Sequence, residues 1–193
     1  MVEVRALSGD ALGAALGDVA RLRIKVFRAF PYLYDGDEAY ERRYLEVYRG
    51  SPGAVLVGAF DGARLVGAAT GAPMEDHAEE FAAPLAGFEA PLSDIFYCAE
   101  SVLLPEYRGR GVGHSFFDMR ETHAREMGRT HSVFCAVERG DHPARPDGYR
   151  PLDPFWRARG YRPLPGAVAR FAWRDVGEAE ETGKPLQIWW RRL

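Results

Sequence analysis

The residues whose types and spacing best suit chemistry lie at 108–114, which read RGRGVGH. An apolar segment that predicts a strand, IFYCAESVLL, precedes them, and GVGHSFFDMRETHAREMG, which has helical periodicity, follows. A helix N-terminus leaves backbone N–H groups unpaired and its dipole favours an anion, while glycines let the backbone approach that anion closely. Arg108 and Arg110 add positive charge. The stretch therefore predicts a pyrophosphate site between a strand and a helix.

Two common nucleotide-binding motifs do not fit this spacing. A Walker loop requires Gly-Lys-Ser/Thr, and here Gly113 is followed by His114 and Ser115. A dinucleotide fingerprint, G-x-G-x-x-G, would need its third glycine at His114 or at Phe116. Both motifs are excluded, and the residues alone leave open a glycine-rich turn that holds no ligand.

The register of the glycines resembles that of the GNAT acyltransferases, which hold acetyl-CoA. Residues 108–113 fit the R/Q-x-x-G-x-G/A pattern of that family, and SVLLPEYRGRGVG resembles its strand, Pro-containing turn and loop. FWRARGY at 155–161 resembles the aromatic helix end near the GNAT C-terminus. The resemblance implies an N-acetyltransferase that moves an acetyl group from acetyl-CoA to a primary amine of a small molecule or peptide, by direct attack in a ternary complex.

The resemblance also implies where the cofactor binds. In the family, backbone groups of the strand pair with the pantetheine arm, and the loop amides hold the pyrophosphate. The expected cofactor-binding residues are therefore Ser101, Val102, Leu103, Arg108, Gly109, Arg110, Gly111, Val112, Gly113, His114 and Trp156.

The chain departs from the family pattern at the residue expected to protonate the CoA thiolate. The family often has Tyr where this chain has Trp156, and an indole N–H donates a hydrogen bond but is not a useful acid. Tyr149 is the expected substitute, and a thiolate that leaves unassisted is the alternative. The departure also keeps a second function open, a GNAT-fold module that binds acyl-CoA without turnover, as a sensor or interaction domain.

Glu100 is the expected general base. An amine must lose its proton before or during attack, and a positioned carboxylate can accept it directly or through water. Glu100 immediately precedes the segment that the resemblance assigns to the cofactor. The alternatives are a carboxylate that only binds the amine, and one that faces solvent.

The acceptor is expected near the connection between the first two helices, FPYLYDGDEAYE, because that segment covers the acceptor pocket in the family. Tyr32, Tyr34 and Asp35 are the expected substrate-binding residues, since aromatic faces beside carboxylates suit a cationic amine. A small polar amine, such as a polyamine, amino acid or aminoglycoside, is favoured. A peptide N-terminus and a protein lysine remain open.

The order of elements predicts one α/β domain over residues 1–193, with a GNAT-like fold. We expect a central mixed, mostly antiparallel, twisted sheet of six or seven strands flanked by about four helices. Residues 73–94 interrupt this order. They are rich in Pro and Ala, carry six acidic residues and no Lys or Arg, and predict a partly helical insertion.

Composition limits the partners of the chain. The 25 basic residues are outnumbered by 28 acidic ones and are scattered, which argues against binding nucleic acid. The absence of CxxC and HxxxH spacings argues against a metal site. No long apolar run or leader-like segment is apparent, so no membrane association and a cytoplasmic location are expected. LQIWWRRL places two tryptophans on opposite faces of a strand, which favours a homodimer through one of them.

Overall fold

The computed structural model describes residues 2–193. The strands in that range are β1 (Val2–Leu7), β2 (Val55–Asp61), β3 (Arg64–Pro73), β4 (Ile95–Leu103), β5 (His131–Val137), β6 (Arg162–Arg174) and β7 (Glu181–Arg192). The α-helices are α1 (Gly9–Phe27), α2 (Glu38–Gly50), α3 (Ala78–Phe81), α4 (Val112–Glu126) and α5 (Asp153–Ala158). Short 3-10 turns span Met74–His77, Leu92–Asp94 and Pro105–Tyr107.

The strands form one sheet in the order β1-β2-β3-β4-β5-β7-β6. β4 and β5 run parallel, and the other neighbouring pairs are antiparallel. An Asp61-Gly62 turn joins β2 to β3, and Gly62 has a φ of 60°, which a glycine adopts without strain. The predicted mixed, mostly antiparallel α/β sheet of six or seven strands is confirmed.

Helices cover both faces of the sheet. Adjacent strand residues point to opposite faces, and on β4 the Glu100 side chain contacts Arg23 of α1, whereas the Ser101 side chain contacts Arg120 of α4. Arg120 is fully buried and also donates to the backbone oxygens of Thr70 and Glu100. These bonds attach α4 to β3 and β4 directly beneath the residues expected to bind cofactor.

β4 and β5 separate soon after they begin. The residues that pair across them are Ile95 with His131, Phe96 with Ser132, and Tyr97 with Val133. Beyond Tyr97, within residues 2–193, β4 has a strand partner only on the side of β3. Its other edge therefore presents backbone N–H and C=O groups that a ligand can pair with.

A β-bulge in β4 sets the direction of Glu100. Ala69 of β3 lies opposite Ser101, but Gly71 lies opposite Cys98, so a step of two residues on β3 matches a step of three on β4. One extra residue of this kind reverses the alternation of side chains along the strand. Glu100 consequently points to the face covered by α1 and α2.

Residues 73–94 form the partly helical excursion that their composition predicts. They contain the turn Met74–His77, then α3, then the turn Leu92–Asp94. Phe81 and Leu85 are buried in the core, and Arg129 donates two hydrogen bonds to Glu75. The segment therefore packs against the sheet.

The two tryptophans of β7 are both buried within the chain. Trp189 is 3% exposed and stacks on Phe134, and Trp190 is 6% exposed and packs edge-on against Phe88. Phe88 belongs to the segment 73–94 and covers the side of Trp190 that faces away from Trp189. The alternation of side chains along the strand could not reveal this cover, because it comes from a distant segment. The argument for a homodimer through these tryptophans is therefore removed, and the oligomeric state stays a prediction.

Candidate active site

A pocket opens at the point where β4 and β5 separate. It contains about 600 Å³ of empty space, including the part open to solvent. Its lining residues come from α1, the loop after it, α2 and the strands β4 to β7: Arg23, Phe27, Tyr32, Tyr34, Tyr40, Tyr44, Tyr97, Ala99, Glu100, Cys135, Phe171, Trp173 and Leu186. The structure thus brings together Glu100, Tyr32 and Tyr34 among the residues expected from the sequence.

A buried ion network joins α1, α2 and β4 beside this pocket. Nη1 of Arg23 lies 2.9 Å from Oε2 of Glu100, and Nε of Arg23 donates to Glu41. All three side chains are less than a tenth exposed. Burial alone would lower the pKa of Arg23, but Glu100, Tyr44 and Glu41 together raise it well above its usual value, so the guanidinium stays charged.

Tyr44 completes the contacts of Glu100. Its hydroxyl donates to Oε2 of Glu100 at 3.2 Å, and its ring lies 4.2 Å below the guanidinium of Arg23. Oε2 of Glu100 therefore has one hydrogen-bond donor, Tyr44, and one ion-pair partner, Arg23, whereas Oε1 is buried without a hydrogen-bond partner in the part of the chain that the structure describes. An unpaired carboxylate oxygen can chemically accept a proton or a hydrogen bond from an amine. Sequence reasoning missed Arg23, which occupies a position in the buried stripe of α1 where an apolar residue is expected.

His77, which lies in the excursion at 73–94, is a buried neighbour of this network. Its ring packs 4.9 Å from Tyr97 and 5.8 Å from Tyr48, and its Nε2 has no partner among the described residues. Burial lowers the pKa of His77, an effect that Glu80, Glu100 and Asp76 oppose without reversing it. No local sequence pattern indicated this environment, because the neighbours of His77 come from distant segments.

The loop that carries Tyr32 and Tyr34 is fixed by a cation that the sequence did not single out. Arg139 donates to the backbone oxygens of Pro31 and Tyr32 and makes a bidentate pair with Asp175 at 2.7 and 2.9 Å. Nε1 of Trp173 also donates to the Tyr32 oxygen, at 3.0 Å. This side of the pocket is therefore held in place by contacts within the chain.

Asp35 does not line the pocket. Its carboxylate accepts hydrogen bonds from Arg28 at 2.9 Å and from Arg174 at 3.0 Å. The bond from Arg28 and the charge of Arg174 lower the pKa of Asp35. The carboxylate that was expected to bind the amine is thus already paired with two arginines.

The residues near the opening between the strands are Tyr97 and Cys135. The Tyr97 hydroxyl lies 3.6 Å from Sγ of Cys135. Burial raises the pKa of the Cys135 thiol to about 12 and that of Tyr97 well above 10, so both remain protonated at neutral pH.

Tyr149 and Trp156 lie outside the pocket lining. Tyr149 packs edge-on against Phe30 at 4.7 Å. Trp156 packs against Phe134 at 5.0 Å and Trp189 at 5.2 Å, in an aromatic cluster on the side of α4 and α5. Their surroundings are those of packing residues.

The glycine-rich loop forms a set of free backbone donors. Gly109 and Gly111 have φ values of 73° and 81°, a backbone form that favours glycine, and α4 begins directly after them. Within residues 2–193, no hydrogen bond is made by the N–H groups of residues 109–113. The N–H of His114 donates instead to the carbonyl of Gly111. Within the loop 109–114, the free amides are therefore those of residues 109–113.

Positive charge surrounds these donors. Arg108 and Arg110 are exposed at the rim and donate to the backbone oxygens of Leu103 and Glu106. Arg159 lies 3.2 Å from Nδ1 of His114, on the first turn of α4, but its charge is paired with Asp118 and Glu121. The amides, the helix N-terminus and the arginines together suit a phosphate or pyrophosphate.

Ser101, Val102 and Leu103 lie between the pocket and this loop. Ser101 is exposed, Leu103 half-buried and Val102 buried. All three belong to the part of β4 that β5 does not pair with. The free strand edge therefore runs from the Glu100 pocket towards the anion-binding loop, as an elongated ligand between the two would require.

Two further findings concern membranes and metal ions. No helix within residues 2–193 combines the length and apolar character needed to cross a membrane. In the same part of the chain, His, Cys, Asp and Glu residues are nowhere grouped in threes or more in a way that could hold a metal ion.

Comparison with known structures gives the same fold. A ribosomal-protein-alanine N-acetyltransferase from Brucella melitensis is similar with a TM-score of 0.60 at 15% identity, covering 99% of each chain. A GCN5-related N-acetyltransferase from Kribbella flavida matches with a TM-score of 0.58 at 16% identity, over 100% of this chain and 98% of that one. A phosphinothricin acetyltransferase from Sinorhizobium meliloti in complex with AcCoA matches with a TM-score of 0.60 at 16% identity, over 100% and 88%.

Sequence comparison identifies the family. No curated protein matches the chain significantly. The sequence model described as the acetyltransferase (GNAT) family matches residues 21–146, which include the Arg23–Glu100 network, the bulged strand β4 and the anion-binding loop. The chain therefore belongs to the GNAT family of acetyltransferases.

Proposed function

We propose that the chain is an acetyl-CoA-dependent N-acetyltransferase that acts on a primary amine of a small molecule. The observation that carries the proposal is the continuous path formed by the free amides of residues 109–113, the open edge of β4 and the pocket around Glu100. The open edge and the amides fit the pantetheine and pyrophosphate parts of CoA, and the pocket offers a carboxylate for the amine.

Each group of residues has a separate role. The amides of residues 109–113, with Arg108 and Arg110, would hold the pyrophosphate, and backbone groups of residues 101–103 would pair with the pantetheine arm. When bound, acetyl-CoA supplies the acetyl group: the acceptor nitrogen bonds to the acyl carbon, the carbon–sulfur bond breaks, and CoA leaves with that electron pair as thiolate. A backbone N–H of the open β4 edge is suited to stabilise negative charge on the acyl oxygen.

Glu100 would accept the proton that the amine loses. Arg23 and Tyr44 hold its Oε2, which leaves Oε1 free for that proton. General-base assistance of this kind contributes about 10²- to 10⁴-fold in rate. The packing of Trp156 and Tyr149 away from the pocket favours departure of the thiolate without an acid from either residue.

A cytoplasmic location goes with this proposal, because acetyl-CoA and small amines are its substrates. The alternative function is an acyl-CoA-binding sensor without turnover, which Trp156 keeps open. The position of Glu100 in the pocket beside the open edge of β4 favours the enzyme, because a carboxylate there has a role in transfer to an amine and none in passive binding of acyl-CoA.

A transfer assay with a panel of amines separates these functions. Purified protein is mixed with acetyl-CoA and each amine, released thiol is followed with a chromogenic disulfide, and the acetylated amine is confirmed by mass spectrometry. The proposal predicts amine-dependent thiol release. Tight acetyl-CoA binding by calorimetry with no transfer to any amine would favour the sensor.

A further inference from the structure

The walls of the acceptor pocket are chiefly aromatic. Eight of its thirteen lining residues carry aromatic rings: Phe27, Tyr32, Tyr34, Tyr40, Tyr44, Tyr97, Phe171 and Trp173. Three more lining residues are apolar: Ala99, Cys135 and Leu186. Cys135 counts among them because burial keeps its thiol protonated. A ligand in this pocket therefore meets ring faces and ring edges over most of its surface.

The two remaining lining residues, Arg23 and Glu100, pair with one another. Nη1 of Arg23 contacts Oε2 of Glu100, and the guanidinium also binds Glu41 and lies over the ring of Tyr44. In the part of the chain that the structure describes, Oε1 is the carboxylate oxygen of this pair that remains without a partner. Tyr34, which also lines the pocket, has a buried hydroxyl without a partner among the described residues. The pocket therefore offers one carboxylate oxygen for an ammonium group, and its other polar groups are chiefly tyrosine hydroxyls.

The side of the pocket formed by β6 is supported by other aromatic rings. Trp173 donates to the Tyr32 oxygen and packs 5.9 Å from the Tyr32 ring, which in turn lies 4.3 Å from Phe27. Phe171, also on β6, packs 6.0 Å from Phe81 of α3. Each ring of this wall is thus in contact with another ring, so the wall presents a continuous aromatic surface to a ligand.

We propose that the acceptor is a primary amine that carries an aromatic ring or a similarly flat apolar group. This inference rests on the proposed N-acetyltransferase function and narrows its substrate class. Aromatic walls stabilise such a ring by stacking and burial. A polyamine or aminoglycoside has no flat ring to stack on these walls, and it must desolvate further ammonium or hydroxyl groups for which the walls offer chiefly tyrosine hydroxyls. The polar amines that the sequence favoured therefore suit this pocket less well.

Competition between amines tests the substrate class. The specificity constant kcat/KM is measured by thiol release for phenethylamine, butylamine, spermidine and kanamycin. We expect phenethylamine to exceed spermidine and kanamycin by about tenfold or more, because its flat ring alone stacks on the aromatic walls. Spermidine or kanamycin as the equal or better substrate would overturn the inference and leave the acetyltransferase intact. Failure of every amine, with acetyl-CoA still bound, would instead overturn the proposed function, and this inference with it.

A matched pair of variants tests whether the aromatic wall recognises the ring. Phe171 and Phe60 are both half-buried phenylalanines on strands, but Phe60 lies on β2, outside the pocket lining. Phe171→Ala should lower the ratio of kcat/KM for phenethylamine to that for butylamine by about tenfold, through KM more than kcat. Phe60→Ala should leave the ratio unchanged. An unchanged ratio in Phe171→Ala, or an equal fall in Phe60→Ala, would contradict the assignment.

Discussion

Nη1 of Arg23 lies 2.9 Å from Oε2 of Glu100, and the pair is buried between α1 and the bulge of β4. The same guanidinium binds Glu41 of α2, so one cation lies between two buried carboxylates. Buried charges of this kind are costly unless each has a partner. Arg23 therefore both attaches the two N-terminal helices to the sheet and fixes the orientation of the proposed base.

Replacing Arg23 should destabilise the protein strongly. Arg23→Met leaves Glu41 and Glu100 buried without their cation, and removing one partner of a buried pair costs about 3–5 kcal/mol in the free energy of unfolding. Urea denaturation followed by circular dichroism measures this at neutral pH. The control is Arg42→Met, which removes an exposed pair with Glu38 on α2 and should cost no more than about 0.5 kcal/mol. A loss of less than about 1 kcal/mol in Arg23→Met would show that the carboxylates find other partners.

The position of Arg23 illustrates what the sequence could and could not predict. The glycine register at 108–113 predicted the family, which the family model confirms. It also predicted a glycine loop before a helix, because such a loop depends on local backbone form; binding of an anion there stays a prediction. The partners of Glu100 could not be predicted, because Arg23 and Tyr44 are 77 and 56 residues away in the chain. Contacts between residues so far apart in the chain are made by tertiary packing, and the local periodicity of the sequence carries no information about them.

The residues expected to bind the acceptor show the same limit of sequence-based prediction, because one of the three does not lie at the pocket. Tyr32 and Tyr34 line the pocket as expected, whereas Asp35, their neighbour, is paired with Arg28 and Arg174 outside it. Residue type and nearness in sequence could not separate the three. Arg174 belongs to a strand near the C-terminus whose position beside the loop follows from the sheet order.

Glu100→Gln should slow acetyl transfer more at acidic than at alkaline pH. The amide cannot accept the amine proton, so the rate should fall by about 10²- to 10⁴-fold near pH 7 and recover partly as the free amine becomes abundant at higher pH. The measurement is kcat/KM from pH 6 to pH 9.5. Glu41→Gln is the matched control, because it removes the other carboxylate of Arg23 without touching the pocket lining. A near-normal, pH-independent rate in Glu100→Gln would remove Glu100 from the role of base.

Gly111→Glu should block binding of CoA. The residue has a φ of 81°, and a carboxylate at this position would lie among the free amides of the loop. We expect the Kd for CoA, measured by calorimetry, to rise at least about tenfold. Gly128→Glu, at another glycine of positive φ just beyond the other end of α4, controls for backbone strain and should leave Kd unchanged. Equal CoA affinity in Gly111→Glu and the unmodified protein would refute the anion site.

Tyr149→Phe should leave the rate within about twofold. The ring packs on Phe30 and does not line the pocket, so loss of its hydroxyl should remove no group from the reacting atoms. The rate of thiol release and its dependence on pH are the measurements. A fall of tenfold or more, with a changed alkaline limb of the pH profile, would instead restore Tyr149 as the acid for the thiolate.

His77 should make the protein less stable in mild acid. Burial lowers the pKa of His77 in the folded protein, whereas in the unfolded chain it titrates near 6.5. The unfolded state therefore binds more protons as the pH falls through about 6.5, so stability decreases from that point towards the lower folded pKa and is unaffected above about pH 7.5. His77→Phe keeps the ring packing against Tyr97 and Tyr48 and removes the proton site. Its Tm should change less between pH 7.5 and pH 5 than that of the unmodified protein. Identical slopes in His77→Phe and the unmodified protein would show that His77 does not contribute to acid sensitivity.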